Sequence, residues 1–275
     1  MDAKGDLAAA LGSQPVGFQP HVVQHGISVI ALHPEESFQE YLRIYFKVPR
    51  FTRLTPLAKV FDFIATGVPG PRDMLVVGKI AYEERRREGS GNPMWDLIIV
   101  DAAASGQVLG HLTAPRSMLS LVRGGVIRSQ VEWIDELVRD RARTTAVLCA
   151  LPEEMPVVEA IELSDKLRRD AGVAVDACFL NRVVVQTVTP AQRKLVEAMV
   201  SAEHCEAVQN RLGGSPEPLV DASTLVTRLH EAGVAQARVL RSRLPIPVVP
   251  VPLTPARAGL ATTRAVADAL AEHAS

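Results

Sequence analysis

Short β-branched runs alternate along the chain with longer stretches in which apolar residues recur every three or four positions. That rhythm is the signature of parallel strands joined by crossover helices, so the predicted class is α/β. His21–His33 holds an extended segment at Val29–Ala31, and Pro34-Glu35-Glu36 opens a helix through Tyr45, its acidic first turn suiting the helix dipole. Helices are expected over Leu54–Ala65 and Arg72–Arg87, separated by the breaker Gly67-Val68-Pro69-Gly70-Pro71. The charged stretch Glu83–Glu88 at the end of the second reads as a solvated face, and Gly89–Pro93 as a loop.

Leu97-Ile98-Ile99-Val100 is a continuous apolar run, as expected of a strand buried on both faces, and it ends on Asp101. Pro115–Asp140 carries Met118, Val122, Val126, Ile127, Val131, Ile134 and Val138 at helical spacing, with Gly124-Gly125 as a potential break. Further strands are predicted at Thr145–Leu151, Val173–Leu180 and Ile246–Val251. Helices are predicted at Pro152–Arg169, from Thr189-Pro190 to Gly213-Gly214, up to Arg243, and over Ala256–Ala271. Gly213–Pro218 reads as a flexible surface loop. No boundary divides the chain sharply, so residues 1–275 are expected to form one domain.

Composition narrows the function. The chain has 275 residues, 47% of them hydrophobic, which is ample for a core without disulfide or metal staples. Thirty basic residues against 31 acidic leave a net charge of −1, so no global field favours nucleic acid or an anionic membrane. No apolar run reaches the roughly 18 residues of a membrane span, and the start, with Asp2, resembles no targeting signal. The three cysteines, Cys149, Cys178 and Cys205, are odd in number and far apart, which points to reduced thiols and a cytoplasmic setting. Cys149 and Cys178 fall in predicted buried strands, and no C-x-x-C spacing offers a zinc site.

In an open parallel sheet, ligands bind beyond the carboxyl ends of the strands. Asp101 there leads into Ala102-Ala103-Ala104-Ser105-Gly106-Gln107, a small-residue loop that lets backbone N–H groups approach an anion. Asn181 presents a donor and an acceptor to a ring edge, and Val249-Pro250-Val251-Pro252-Leu253 a stiff apolar border. Together they suggest a nucleotide site, with a carboxylate for a Mg²⁺-bound water, a phosphate-sensing loop and a base pocket. Singly, Asp101 also fits a strand terminator, Asn181 a turn residue and the prolines an edge strand.

Trp95–Gln107 resembles the switch II segment of the ArsA-type ATPases, whose pattern is a strand followed by D-T-A-P-T-G-H. Met1–Leu7 resembles their switch I, and Pro69–Asp73, Leu151–Pro156 and Leu180–Val183 add local likenesses in the same order. The resemblance covers nearly the whole chain and implies a P-loop-NTPase-like parallel sheet flanked by helices, with a helical insertion at about residues 34–92 and 110–142. It implies ATP and Mg²⁺ as cofactors. By the same resemblance Asp2 positions the attacking water, Asp101 lies in the outer sphere of Mg²⁺, Ser105 and Gly106 form the γ-phosphate-sensing turn, Asn181 bonds adenine, and Pro252 and Leu253 lie near the base. Ala104, Ser105 and Gln107 depart from the pattern, which touches the coupling of nucleotide state to switch movement.

The phosphate loop, G-x-x-x-x-G-K-[ST], is absent from the 275 residues; Gly78-Lys79-Ile80 lacks its spacing and its hydroxyl and falls inside a predicted helix. Such a loop comes with a strand and a helix, so the sheet is expected to lack its first strand–loop–helix unit. The resemblance thus implies an ATPase complete only with upstream residues, coupling hydrolysis to movement in a homodimer or a heterodimer with a related ATPase. The alternative is a non-catalytic partner subunit that acts as a binding module. The Leu54–Ala65 and Met118–Val138 helices offer apolar faces to a client protein, or to plain core packing.

Overall fold

The computed structural model describes residues 6–46, 71–186, 188–201, 203–254 and 259–274; Asp2, the expected Leu54–Ala65 helix and the Gly67–Gly70 breaker lie outside them. In chain order come α1 (Asp6–Ala10), β1 (His21–Gln24), β2 (Ile27–Val29), α2 (Pro34–Phe46), α3 (Pro71–Arg85), α4 (Ser105–Leu121), α5 (Gly125–Arg139) and β3 (Thr145–Ala150). Next are α6 (Glu154–Lys166), which runs into a π-helical turn at Leu167–Ala171, then β4 (Ala174–Val183), α7 (Pro190–Ala198) and α8 (Cys205–Leu212). The chain closes with α9 (Glu217–Arg243), β5 (Val248–Pro252) and α10 (Leu260–Ala274). The class is α/β, with a three-stranded parallel sheet in the order β3-β4-β5 flanked by helices.

The residues gather into two compact units, one made of described residues from 1–146, 165–175 and 257–263, the other from 147–164, 176–256 and 264–275. The first is mainly helical. Val77 and Ala81 on α3 meet Ile134, Leu137 and Val138 on α5, with Ala171 and Val173 completing the cluster. These positions repeat at three- and four-residue spacing, so each helix turns one apolar stripe inward. A Cβ at Gly78 would lie 3.8 Å from Ile134 Cδ1, an ordinary contact distance. The β1–β2 hairpin, antiparallel and turned through Gly26 at φ 76°, stands apart from the parallel sheet.

The second unit holds most of that sheet. Cys178 pairs with Val248 and Leu180 with Pro250 in the parallel β4–β5 ladder, and Cys178, Leu180 and Val251 are buried. α6 is the crossover between β3 and β4 and buries Val157, Ala160 and Ser164. α9 packs against α7 and β5, burying Ser223, Gly233, Ala237 and Leu240. The Thr189 start of α7 is a full capping box with Gln192, and Gly213 ends α8 in the left-handed region at φ 68°.

Four expectations are corrected. Leu97–Val100 is not a strand: Leu97 is 76% and Ile99 83% exposed, and the run makes no backbone hydrogen bond with a described residue. A strand needs a neighbouring edge for its donors and acceptors, and among the described residues this run has none. Cys149 is exposed although it sits in β3, because side chains alternate along the strand: Leu148 and Ala150 lie on the buried face, Val147 and Cys149 on the exposed one. Glu83 is buried, not solvated, since it is ion-paired. The helix expected from Pro115 starts ten residues earlier at Ser105, carries the buried Pro115 inside it, and ends at Leu121; a second helix begins at the predicted glycine break. Packing of α4 against both α3 and α5 offsets the backbone donor that Pro115 lacks.

Candidate functional site

Asp101, Ser105 and Gly106 belong to the first unit. Asp101 ends the apolar run, three alanines follow, and α4 begins at Ser105 with Ala104 as its N-cap. Ala104 supplies no side-chain cap, and its carbonyl accepts from Gln107 and Val108 at 2.8 and 3.1 Å. Ser105 and Gly106 therefore stand in the first turn, where backbone N–H groups have no intrahelical acceptor. Both are exposed, and a Cβ added at Gly106 would meet nothing within 4 Å. The local chemistry is a carboxylate, a hydroxyl and a positive helix end within six residues.

Asn181, Pro252 and Leu253 belong to the second unit, where the sheet brings them together. The β4–β5 register slips between Leu180 and Val183, Val183 pairs with Pro252, and the Leu253 N–H donates to the Val183 carbonyl at 2.9 Å. Arg182 takes a left-handed φ of 61° within the slip. Its N–H donates to Asn181 Oδ1 at 2.9 Å, so the Asn181 side-chain carbonyl is used locally. Leu253 is half exposed.

The densest polar cluster was not visible as a site in the sequence. Lys79 Nζ lies 2.6 Å from Glu40 Oε2 and 2.8 Å from Glu83 Oε1, over the rings of Phe18 and Tyr82 at 4.7 and 5.2 Å. Arg86 Nη1 and Trp95 Nε1 both donate to Glu83 Oε2, at 2.8 and 3.0 Å. Burial alone would raise the Glu83 carboxyl, but the bonds from Lys79, Arg86 and Trp95 outweigh it and hold the group below its ordinary range. The i,i+4 spacing of Lys79 and Glu83 was the available signal. In the second unit a cleft of about 320 Å³ is lined by Arg193, His230, Glu231 and Arg238 among others. His230 Nδ1–H donates to the Val184 carbonyl at 2.8 Å, which leaves Nε2 as the other polar position.

No protein-family model matches the chain. Over 182 residues it is 27% identical to ATPase BagA of Mycobacterium tuberculosis strain H37Rv and, equally, to the Mycobacterium bovis protein Mb3704, named for the same activity. The chain is a distant relative of ATPases. The match covers 66% of this chain and 53% of each relative, so the chain spans about half the length of the curated relatives it matches.

ATPase relatives imply ATP and a divalent metal, and the described residues fit that pair incompletely. Asp101 and Ser105 have the right oxygen chemistry for a Mg²⁺ shell, and the α4 N-terminus suits an anion. No group of three or more His, Cys, Asp or Glu among the described residues is placed to hold a metal. Lys79 is buried in a helix and committed to two carboxylates, so it is not a phosphate-binding lysine. These residues do not grip a Mg²⁺-bound triphosphate by themselves. Among them, too, no helix is long and apolar enough to cross a membrane.

Proposed function

We propose that this chain is the switch-bearing body of an ArsA-like ATPase, which hydrolyses ATP once an upstream glycine-rich loop supplies the phosphate grip. The carrying observation is the sequence of features at residues 97–106: an apolar run, Asp101, a small-residue stretch, and a helix opening on Ser105-Gly106. The distant ATPase relatives support the ATPase part of this reading. In it, Asp101, Ser105 and Gly106 form the nucleotide-sensing turn, Asp101 facing Mg²⁺ through water, while Asp2 aims the attacking water. Asn181, Pro252 and Leu253 border the adenine. The protein works as a dimer of like or related subunits, in the cytoplasm, and moves an apolar helical surface against a client.

The test is Mg²⁺-dependent ATP binding and phosphate release, measured on the 275-residue chain and on the chain carrying its upstream coding sequence. Binding confined to the longer form is expected, with Asp101→Asn abolishing turnover while the protein stays folded. An unchanged rate in Asp101→Asn removes the site assignment. Stable folding without nucleotide binding in either form favours the non-catalytic partner subunit instead, the reading suggested by the commitment of Lys79 to carboxylates.

A further inference from the structure

The cleft of about 320 Å³ in the second unit lies at the small end of the roughly 300–1,000 Å³ range of ligand sites, and none of the residues assigned to the nucleotide lines it. Its lining has an order of its own. From α9 come His230, Val234 and Arg238 at four-residue spacing, a single row along about 12 Å of helix axis at about 1.5 Å per residue. An imidazole, an apolar side chain and a cation thus follow one another. The other lining segment supplies Val188, Pro190 and Arg193, and it is braced from within: Gln186 Nε2 donates to the Val188 carbonyl at 3.2 Å, and Thr189 with Gln192 forms the capping box of α7.

Two polar groups of this cleft are uncommitted among the described residues. The His230 Nδ1–H donates to the Val184 carbonyl at 2.8 Å, which fixes the ring and leaves Nε2 of the neutral imidazole as an acceptor. Arg238 makes no hydrogen bond or ion pair with a described residue, whereas Arg193 lies 3.7 Å from Glu231 Oε1 and 3.8 Å from Glu197 Oε1. Arg193 is therefore neutralised and Arg238 is not. We infer that the cleft binds a small, elongated organic monocarboxylate: its carboxylate pairs with Arg238, its apolar middle lies on Val234, Val188 and Pro190, and a hydroxyl at its far end donates to His230 Nε2. The guanidinium offers paired N–H groups in the geometry a carboxylate accepts. Glu231, one residue from His230 and also lining the cleft, repels a second negative charge, which disfavours phosphate and dicarboxylates. The assignment is independent of the function proposed above, since every residue it uses belongs to the second unit.

The experiment titrates the 275-residue chain, without nucleotide, with 3-(4-hydroxyphenyl)propanoate, followed by calorimetry and by the NMR signals of the His230 imidazole. Three comparison probes each remove or change one feature: 3-phenylpropanoate lacks the hydroxyl, 3-(4-hydroxyphenyl)propan-1-ol lacks the carboxylate, and inorganic phosphate lacks the apolar body. The hydroxy acid is expected to bind with a Kd below about 1 mM and to move the His230 signals. Loss of the carboxylate is expected to weaken binding at least about tenfold, and loss of the hydroxyl by a smaller factor, about threefold or more. Arg238→Gln, at an exposed position, should weaken the hydroxy acid at least about tenfold and leave the alcohol unchanged. Arg241→Gln, exposed on the same helix but outside the cleft, should change neither. Should Arg238→Gln fail to fold, as read by its urea midpoint, the comparison of acid with alcohol on the native chain decides alone. Absence of binding by the hydroxy acid at about 10 mM overturns the inference. So do equal affinities for acid and alcohol or for the two acids, tighter binding of phosphate than of the hydroxy acid, or a folded Arg238→Gln that binds as the native chain does. Binding that leaves the His230 signals unmoved places the ligand elsewhere and overturns it as well.

Discussion

Two regions of the first unit invert what their side chains suggest. Lys79 and Glu83 are charged and lie 5% and 4% exposed, while Leu97 and Ile99 are apolar and lie 76% and 83% exposed. They are neighbours in sequence, joined through Trp95, whose indole N–H donates to Glu83. The difference teaches that burial follows the supply of partners more closely than it follows polarity. An α-helix satisfies its own backbone, so α3 needs only side-chain partners, and Glu40, Arg86, Trp95 and two rings provide them. A strand-forming run leaves its backbone to be satisfied by another strand, and without such an edge among the described residues Leu97 and Ile99 stay exposed.

The sharpest way to break this comparison is to remove one charge. Lys79→Met leaves Glu40 and part of Glu83 facing an uncharged neighbour in a buried site, and is expected to cost about 3–5 kcal/mol of stability. Leu97→Ser, by contrast, is expected to change stability by less than about 0.5 kcal/mol. Urea unfolding of both variants checks the pair. A Lys79→Met cost below that of Leu97→Ser would mean that the ion-paired cluster is not desolvated.

The second test replaces a strand residue that does have neighbours. Leu180 is fully buried in β4, paired opposite Pro250, so Leu180→Ala opens a cavity and is expected to cost about 2–5 kcal/mol. Leu180 and Ile99 read alike in the sequence as members of apolar runs. An Ile99→Ala cost as large as that of Leu180→Ala would show that the 97–100 run is packed in solution.

This contrast also marks what the sequence made legible. Most helices, the strands β3, β4 and β5, the Thr189 cap and the break at Gly124-Gly125 follow from periodicity and local chemistry, whereas the one helix expected from Thr189 to Gly213 is two, α7 and α8, and α4 starts well before Pro115. The exposure of Leu97–Val100 and Cys149 depends on what adjoins them, and no periodicity encodes a neighbour. The burial of Glu83 needed Glu40 from another helix, so a run of charges looked like a solvated face. Near the candidate residues, the parallel pairing of the β4 and β5 ends was readable from the two strand-forming runs. The left-handed Arg182, which draws the Asn181 side-chain oxygen onto its own N–H, had no sequence signal.

A third prediction sharpens the charged half of the comparison through pH. Glu83 is held below its ordinary value of 4.5, so its ionised form is favoured by folding. Its contribution is fully present above that ordinary value and is lost as pH falls through the lower folded value. The groups facing it are Lys79, Arg86 and Trp95, with Glu40 on the far side of Lys79. Stability measured in urea is expected to decline with acidification below about pH 4.5, the free-carboxyl range. Glu83→Gln should make that decline shallower, and an unchanged slope would place the acid sensitivity elsewhere.

The smallest effect separates exposure from irrelevance. Thr189 is exposed like Leu97, yet its hydroxyl accepts from the Gln192 N–H at 3.3 Å while Gln192 Oε1 accepts from the Thr189 N–H at 2.9 Å. Both partners lie within one helical turn, so the contact forms wherever α7 forms. Thr189→Ala is expected to cost about 1 kcal/mol, the usual value of a side-chain N-cap, measured by urea unfolding or as earlier exchange of the first α7 amides. Leu97, also exposed but with no hydrogen-bonding side chain, should cost less. If the two were equal, exposure itself would set the energetic scale; a larger cost at Thr189 means that partners set it, on the surface as in the Lys79 cluster.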